Sequence, residues 1–278
     1  MGLKSNFSDL SKYQKLPIGV FDSGVGGLTV LKALREVLPD EDFIYLGDTA
    51  RLPYGTKSSQ TVLQYAVSCA HLLKKRGIKL LVVACNTVAS VALDALATDF
   101  SPIPVVSVIV PGAQAACDYS QKNHITVLAT EGTVQSHAYK NVIHLIKPDA
   151  VVEERACSLL VSLAEEGWTQ GPLIEAIIAR IIHPELTCDT LILGCTHFPV
   201  LKSAIQNVVG SQVTIIDSAH TTAQSVNALL LQHNLKNSNK VGHCHFMATD
   251  NVKRFKKMAS IFLEADIQDT DMELVDVL

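Results

Sequence analysis

Short apolar runs rich in β-branched residues alternate with segments of helical periodicity along almost the whole chain. This alternation constrains the fold most strongly, because it is typical of parallel strands joined by crossover helices. The runs are continuously apolar, which predicts strands that are buried on both faces of a sheet. We therefore predict an α/β protein with strands at 18–21, 43–46, 80–84, 105–109, 125–128, 150–153, 191–193, 213–216 and 243–247.

Three of the intervening segments carry clear helix signals. Leucines spaced by three or four from Leu28 onward form one helical face that ends before Pro39. A second helix is predicted to begin near Ser58 and to stop at Gly77. A third, over 252–263, has an apolar face and a lysine-rich face, as expected of a surface helix.

Composition limits the class of partner. The 278 residues are 48% apolar, enough to bury a large core in two domains. A net charge of -4 argues against nucleic acid or an anionic membrane surface as partner. Seven cysteines without paired spacing predict reduced thiols and no metal site. With a polar N-terminus and no long apolar run, we expect a cytoplasmic protein that binds a small molecule.

One pattern occurs twice: Leu-Val-Val-Ala-Cys-Asn-Thr at 81–87 and Leu-Ile-Leu-Gly-Cys-Thr-His at 191–197. Each is an apolar strand that ends in a small residue, a cysteine and a polar pair. Ligands of open parallel sheets bind at the carboxyl ends of strands, so two facing halves would each present one thiol to a shared cleft. Such a pair can remove a proton from one face of a carbon and return one to the other, with sulfurs about 7 Å apart.

Both cysteines are expected to precede a helical turn, where the helix N-terminus lowers a thiol pKa. Asn86 and Thr87 begin one such helix, and Pro199 suits the first turn of the other. His197 could place a positive charge beside Cys195. The remaining cysteines are expected to be core residues: Cys69, Cys117, Cys157, Cys188 and Cys244.

The glycine-rich loop after the first strand, at 22–27, invites a dinucleotide-binding interpretation that its details oppose. Thr29 stands where the third glycine is required, and Asp22 would repel a pyrophosphate. The same carboxylate suits an ammonium group, and the helix N-terminus suits a carboxylate. Two further polar loops, 51–55 and 130–133, follow strands on the binding side and could be ligand contacts or simple capped turns.

With these residues identified, the chain resembles the aspartate/glutamate racemase superfamily, and within it the glutamate racemases, from residue 18 to about 263. The matching motifs are Asp-Ser-Gly-Val-Gly-Gly-Leu at 22–28, Gly-Asp-Thr-Ala-Arg at 47–51 with Pro-Tyr-Gly at 53–55, Ala-Cys-Asn-Thr at 84–87 and Gly-Cys-Thr-His-Phe-Pro at 194–199. The resemblance implies two pseudo-symmetric, doubly wound parallel-sheet domains with the active site in the cleft between them. We expect one domain at 17–109 plus 218–278, the other at 110–217, and a flexible extension at 1–16.

The resemblance also implies an activity: cofactor-independent interconversion of L- and D-glutamate, with D-glutamate supplied to peptidoglycan and hence to the cell wall and cell shape. It assigns acid/base roles to Cys85 and Cys195, assisted by Asp22 and His197, and places Asp48 and Glu165 nearby. No metal is implied. The family usually carries prolines where Ser158 and Ser162 stand, which loosens the alignment of Glu165. Substrate contacts are implied for Asp22, Ser23, Tyr54, Gly55, Asn86, Thr87, Thr130, Thr133, Thr196 and His197.

Two alternatives remain open. The same fold could act on aspartate or a hydantoin, because the substrate side chain follows from resemblance alone. A non-catalytic amino-acid-binding regulator would keep the cleft but would not need a thiol at both strand ends. A homodimer is compatible with the sequence, which leaves the oligomeric state open.

Overall fold

The computed structural model of the chain describes residues 13–182, 187–237 and 241–277. Most of the extension predicted at 1–16 lies outside the described residues. Tyr13, near its end, packs against the hydrophobic core. The neighbouring Gln14 carbonyl accepts a hydrogen bond of 2.7 Å from Lys79 Nζ. The end of the predicted extension is therefore attached to the fold.

Two parallel sheets organise the molecule. The six-stranded sheet has the order β10-β9-β2-β1-β3-β4, and the four-stranded sheet has the order β6-β5-β7-β8. Apart from β9 and β10, the two sheets have the same strand order. In each sheet the second strand lies on one side of the first strand, and the third and fourth strands lie on the other side of the first. This confirms the predicted pair of similar α/β halves. The strands are β1 Ile18–Asp22, β2 Phe43–Gly47, β3 Leu80–Val83, β4 Val105–Ser107, β5 His124–Ala129, β6 Val151–Ala156, β7 Thr190–Gly194, β8 Thr214–Asp217, β9 Cys244–Ala248 and β10 Met272–Leu274.

The helices follow the predicted periodicity. In α1 the leucine face is buried, and in α11 Phe255, Ala259 and Phe262 are buried, as predicted. Ser58 caps α2 by accepting a hydrogen bond from the Thr61 backbone, which satisfies a free N–H of the first turn. The helices are α1 Leu28–Val37, α2 Ser59–Lys75, α3 Asn86–Phe100, α4 Ile109–Tyr119, α5 Glu131–Ser136, α6 Ala138–Ile146, α7 Leu159–Glu165, α8 Pro172–Ile182, α9 Lys202–Val209, α10 Ser218–Gln232 and α11 Val252–Phe262.

Some local predictions were wrong. The strand predicted at 105–109 ends at Ser107, and Ile109 begins α4, whose first turn accommodates Pro111. The segment 130–133 is not a loop beyond Thr130, because α5 begins at Glu131. Among the described strands β6 pairs only with β5, so its residues are partly exposed rather than buried on both faces.

The path of the chain between the two sheets positions the site. After β4 the chain enters the four-stranded sheet, and after β8 it returns through α10 to add β9 and β10 beside β2. The domain boundaries themselves remain a prediction. No helix among the described residues is long and apolar enough to span a membrane.

Candidate active site

A cavity of about 280 Å³ lies where loops from the carboxyl ends of both sheets meet. Cys85 follows β3 as the residue before α3, and Cys195 follows β7 in the other sheet. Both cysteines line this cavity, as predicted from the repeated motif. The other predicted residues on the cavity wall are Ser23, Tyr54, Gly55, Asn86, Thr87, Thr130, Glu165, Thr196 and His197.

The surroundings of Cys85 favour the neutral thiol. Burial, together with the charge of Asp22, raises the pKa of Cys85 to about 11. The Ser23 hydroxyl and the backbone N–H groups of Val88 and Ser23 act in the opposite direction, and of these Val88 belongs to the first turn of α3. Cys85 Sγ donates to Ser23 Oγ at 3.4 Å. The predicted lowering of the thiol pKa is therefore wrong for the free site, because burial outweighs the helix N-terminus.

Cys195 has a histidine partner. Its Sγ lies 3.8 Å from His197 Nδ1, and His197 Nε2 lies 3.1 Å from Glu165 Oε1. Burial raises the pKa of Cys195 well above its usual value, with Cys85 and Asp22 adding to the effect. Burial also raises the pKa of Glu165, but His197 and Arg254 outweigh it and leave that pKa below its ordinary value. Glu165, whose alignment the missing prolines loosen, is thus in direct contact with His197.

Asp22 is fully buried behind the cavity wall. The Gly24 N–H donates to Asp22 Oδ2 at 2.9 Å, and Thr196 Oγ1 donates to Asp22 Oδ1 at 3.3 Å. Burial raises the pKa of Asp22 in spite of these hydrogen bonds and of the nearby His197. Because its charge acts on both thiols, Asp22 is an electrostatic element common to the two halves of the site.

Asp48 lies beneath the site rather than on the cavity wall. The Tyr54 hydroxyl donates to Asp48, which also pairs with Arg51 Nε at 2.7 Å. Thr249 Oγ1 donates to the other Asp48 oxygen at 2.8 Å. The Tyr54 hydroxyl is therefore occupied within the protein, and Asp48 holds the lip that Tyr54 and Gly55 form.

A cluster of three threonine hydroxyls connects the two halves. Thr87 Oγ1 lies 2.9 Å from Thr130 Oγ1, which lies 3.1 Å from Thr133 Oγ1. Thr133 does not reach the cavity. A Cβ at Gly55 would stand 2.6 Å from Thr130 Cβ, so only glycine permits this approach. The cluster offers hydroxyl donors at one end of the cavity.

Asn86 presents an unused donor in the cavity wall. Its Oδ1 accepts a hydrogen bond of 2.7 Å from Tyr139, whereas its buried Nδ2 has no partner among the described residues. A buried donor without a partner is costly, which favours a ligand that accepts from it. Tyr139 had no signal in the sequence, because it is an isolated buried aromatic residue in the first turn of α6.

Gly26 brings the halves into contact beside the thiols. A Cβ there would stand 2.4 Å from Thr196 Oγ1 and 2.5 Å from His197 Nδ1. Glycine is therefore required by packing between the β1–α1 loop and the Thr196–His197 segment.

Sequence reasoning missed one wall of the cavity. Leu159, Val161 and Ser162 of α7 line it, together with Ser158. Single apolar residues carry no signal that separates a cavity wall from a core. Among the described residues, no group of three His, Cys, Asp or Glu side chains is placed to hold a metal.

The chain is similar to known proteins over most of its length. The family model described as Asp/Glu/Hydantoin racemase matches residues 18–226. A protein named glutamate racemase from Geobacter metallireducens is 46% identical over 91% of this chain and 94% of its own length. The crystal structure of a Francisella tularensis glutamate racemase in complex with D-glutamate is 36% identical, with a TM-score of 0.89 over 95% of this chain and 98% of that one. A Bacillus anthracis glutamate racemase structure, also 36% identical with the same coverage, has a TM-score of 0.90.

Proposed function

The chain belongs to the Asp/Glu/hydantoin racemase family, and from this premise we propose that it interconverts L- and D-glutamate by moving the α-proton between Cys85 and Cys195. The observation that carries the proposal is that two thiols, one after β3 and one after β7, line a single cavity. The relatives named glutamate racemase and the D-glutamate-bound neighbour support the choice of substrate. The chain is an amino-acid racemase, and glutamate is its proposed substrate.

The proposed reaction balances with the two cysteines alone. One cysteine, as thiolate, takes the α-proton, and the electron pair of the C–H bond delocalises into the substrate carboxylate. The other cysteine, as thiol, gives its proton to the opposite face of the α-carbon. The product is the enantiomer, and the thiol and thiolate have exchanged places. No cofactor takes part in the proposal, and the sulfurs are expected about 7 Å apart.

Substrate binding is proposed to generate the thiolate. Both thiols have raised pKa values in the free site, so neither is ionised to a useful extent near neutral pH. The ammonium group of an amino acid in the cavity would offset the negative charge of Asp22 behind the wall, which opposes ionisation of the thiols. We assign Asp22 to assist Cys85 and His197 to assist Cys195, and His197 has the appropriate contact with Cys195.

Recognition of glutamate is proposed to use the polar cavity wall. The free Nδ2 of Asn86 and the hydroxyls of Thr87 and Thr130 are donors suited to carboxylate oxygens. Ser23, the Gly55 backbone, Thr196 and His197 complete the proposed contacts. Tyr54 and Thr133 are proposed to act by holding these groups, since their hydroxyls are engaged inside the protein. The product would supply peptidoglycan synthesis in the cytoplasm.

The test is racemisation in deuterium oxide. Purified protein with L-glutamate and no added cofactor should abolish the circular dichroism of the substrate and replace its α-proton by deuterium in the proton NMR spectrum. Cys85→Ala and Cys195→Ala should each abolish racemisation. Cys117→Ala, a change at a buried cysteine outside the cavity, is the matched control and should retain activity.

Three results would contradict the proposal. Retention of wild-type rates by either cysteine variant would remove the two-thiol mechanism. A higher catalytic efficiency with aspartate or a hydantoin would remove the glutamate assignment. Saturable glutamate binding without deuterium exchange would indicate a binding protein instead.

A further inference from the structure

A line of polar contacts leads away from Cys195 to the protein surface. His197 Nδ1 faces the thiol at 3.8 Å, and His197 Nε2 meets Glu165 Oε1 at 3.1 Å. The second carboxylate oxygen, Glu165 Oε2, lies 3.7 Å from Arg254 Nη2. Arg254 does not line the cavity, whereas its partner Glu165 does, so its contact with the site runs through Glu165.

The two oxygens of Glu165 have different partners. A terminal carboxylate torsion is broad, so the hydrogen bond to His197 does not by itself fix the plane of the carboxylate. The arginine on the second oxygen supplies the other constraint. The Glu165 side chain is only 13% exposed, so this cation is weakly screened where it faces Glu165.

The same guanidinium also contacts Glu166 at 3.1 Å. Glu166 is 65% exposed and Arg254 is 49% exposed, and pairs of this kind contribute little in water. The shorter distance therefore does not identify the more important partner. Burial favours Glu165 as the partner through which Arg254 acts.

Helix α11 also contacts His197 through a second side chain. The ring of Phe262, two helical turns beyond Arg254 and on the same face, meets the His197 ring edge-on at 5.3 Å. The helix itself belongs to the other half, because Phe255 packs on Tyr45 of β2 at 5.9 Å. One half of the molecule thus supports a histidine and carboxylate that belong to the other.

We propose that Arg254 is a positioning residue for His197: by holding the second oxygen of Glu165, it fixes the imidazole against Cys195 and supports proton transfer at that thiol, not at Cys85. The inference rests on the proposed two-thiol racemisation. It predicts that the substrate isotope effects of the two reaction directions respond differently to loss of the arginine, because each enantiomer gives its α-proton to a different cysteine.

The experiment compares Arg254→Gln with Arg254→Lys, which keeps the charge. Controls are Glu166→Gln, which removes only the exposed partner, and Lys253→Gln, which removes an exposed charge from the same helix. Rates and primary isotope effects are measured with 2-deuterated L-glutamate and 2-deuterated D-glutamate. Enantiomers have equal free energy, so kcat/KM must change by the same factor in both directions.

For Arg254→Gln we expect kcat/KM to fall about tenfold, as for a modest displacement of a catalytic group. The isotope effect should rise for the enantiomer that Cys195 deprotonates and should not rise for the other. Arg254→Lys should recover most of the activity, and both controls should match the wild type. Simple loss of folded protein would lower kcat in both directions and leave both isotope effects unchanged.

Any of four results would overturn the inference: wild-type kinetics for Arg254→Gln, equal changes of the isotope effect for both enantiomers, no recovery by Arg254→Lys, or an equal loss in Glu166→Gln. Failure of the proposed function is seen separately, in wild-type protein that does not racemise glutamate or in a Cys85→Ala variant that still does.

Discussion

Replacing Gly26 by alanine should impair catalysis more than stability. The new Cβ would stand 2.4 Å from Thr196 Oγ1 and 2.5 Å from His197 Nδ1, where ordinary contact begins at 3.4 Å. The Thr196–His197 segment must therefore retreat by about 1 Å, a displacement that can lower a rate by roughly a hundredfold. The retreat would weaken the hydrogen bond from Thr196 to Asp22 and the contact between His197 and Cys195.

The cost in stability is smaller. Overpacking of this kind costs about 1–3 kcal/mol. Because Gly26 is not among the glycines with positive φ, alanine regains about 0.4–1 kcal/mol by restricting the unfolded chain. The net loss is about 1–2 kcal/mol.

Gly77→Ala is the matched control for this stability loss. Gly77 has φ +75°, and no atom of the described residues lies within 4 Å of an added Cβ, so its cost is backbone strain alone. That strain is about 1–2 kcal/mol. Urea unfolding should give similar losses for the two variants, while polarimetry of glutamate racemisation should show a large loss only for Gly26→Ala. A Gly26→Ala enzyme within twofold of wild-type kcat/KM, or an equal activity loss in Gly77→Ala, would refute the reasoning.

Three further perturbations test other parts of the structure. Burial raises the Cys85 pKa from 9.0 to about 11, so folding disfavours the thiolate. About 3 kcal/mol of stability that is present below pH 9 should therefore be lost as pH rises toward 11. The free energy of unfolding of Cys85→Ala should fall less steeply across this range. Tyr54→Phe removes a hydrogen bond to the buried Asp48 and should cost about 1–3 kcal/mol, with a higher KM because the lip of the cavity loosens, as steady-state kinetics would show. Lys79→Met leaves the buried Glu41 carboxylate unpaired, so the free energy of unfolding should fall by about 3–5 kcal/mol. The kcat at 25 °C should stay unchanged, since neither residue lines the cavity. A Lys79→Met protein as stable as the wild type would contradict the importance of that pair.

Prediction from sequence was strongest where the signal is local and repeated. Nine strands were located within a few residues, because buried parallel strands are short, continuous apolar runs. Strand β10 was missed, since its three residues at the sheet edge include Glu273 and carry no such signal. The exposure of β6 was also missed. Whether a strand lies at the edge of a sheet depends on the order of the strands and not on the composition of one segment.

For the site, the repeated strand-end cysteines located Cys85 and Cys195, because each feature is local to its own strand. The ionisation of the thiols was predicted in the wrong direction, since a helix N-terminus can be read from sequence but burial cannot. Contacts between distant segments were likewise beyond the sequence: Asn86 with Tyr139, and His197 with Glu165.

The sequence by itself determined the α/β architecture, the two thiols and the loops that surround them, because hydrophobic periodicity and short motifs act within a few residues of their own position. Only the tertiary structure decided which side chains share the cavity, which of them hold others in place, and that Arg254 of α11 reaches Glu165 of α7. The physical reason is that burial and electrostatic coupling depend on distances across the interface between the two sheets, and those distances exist only once both halves have folded and met.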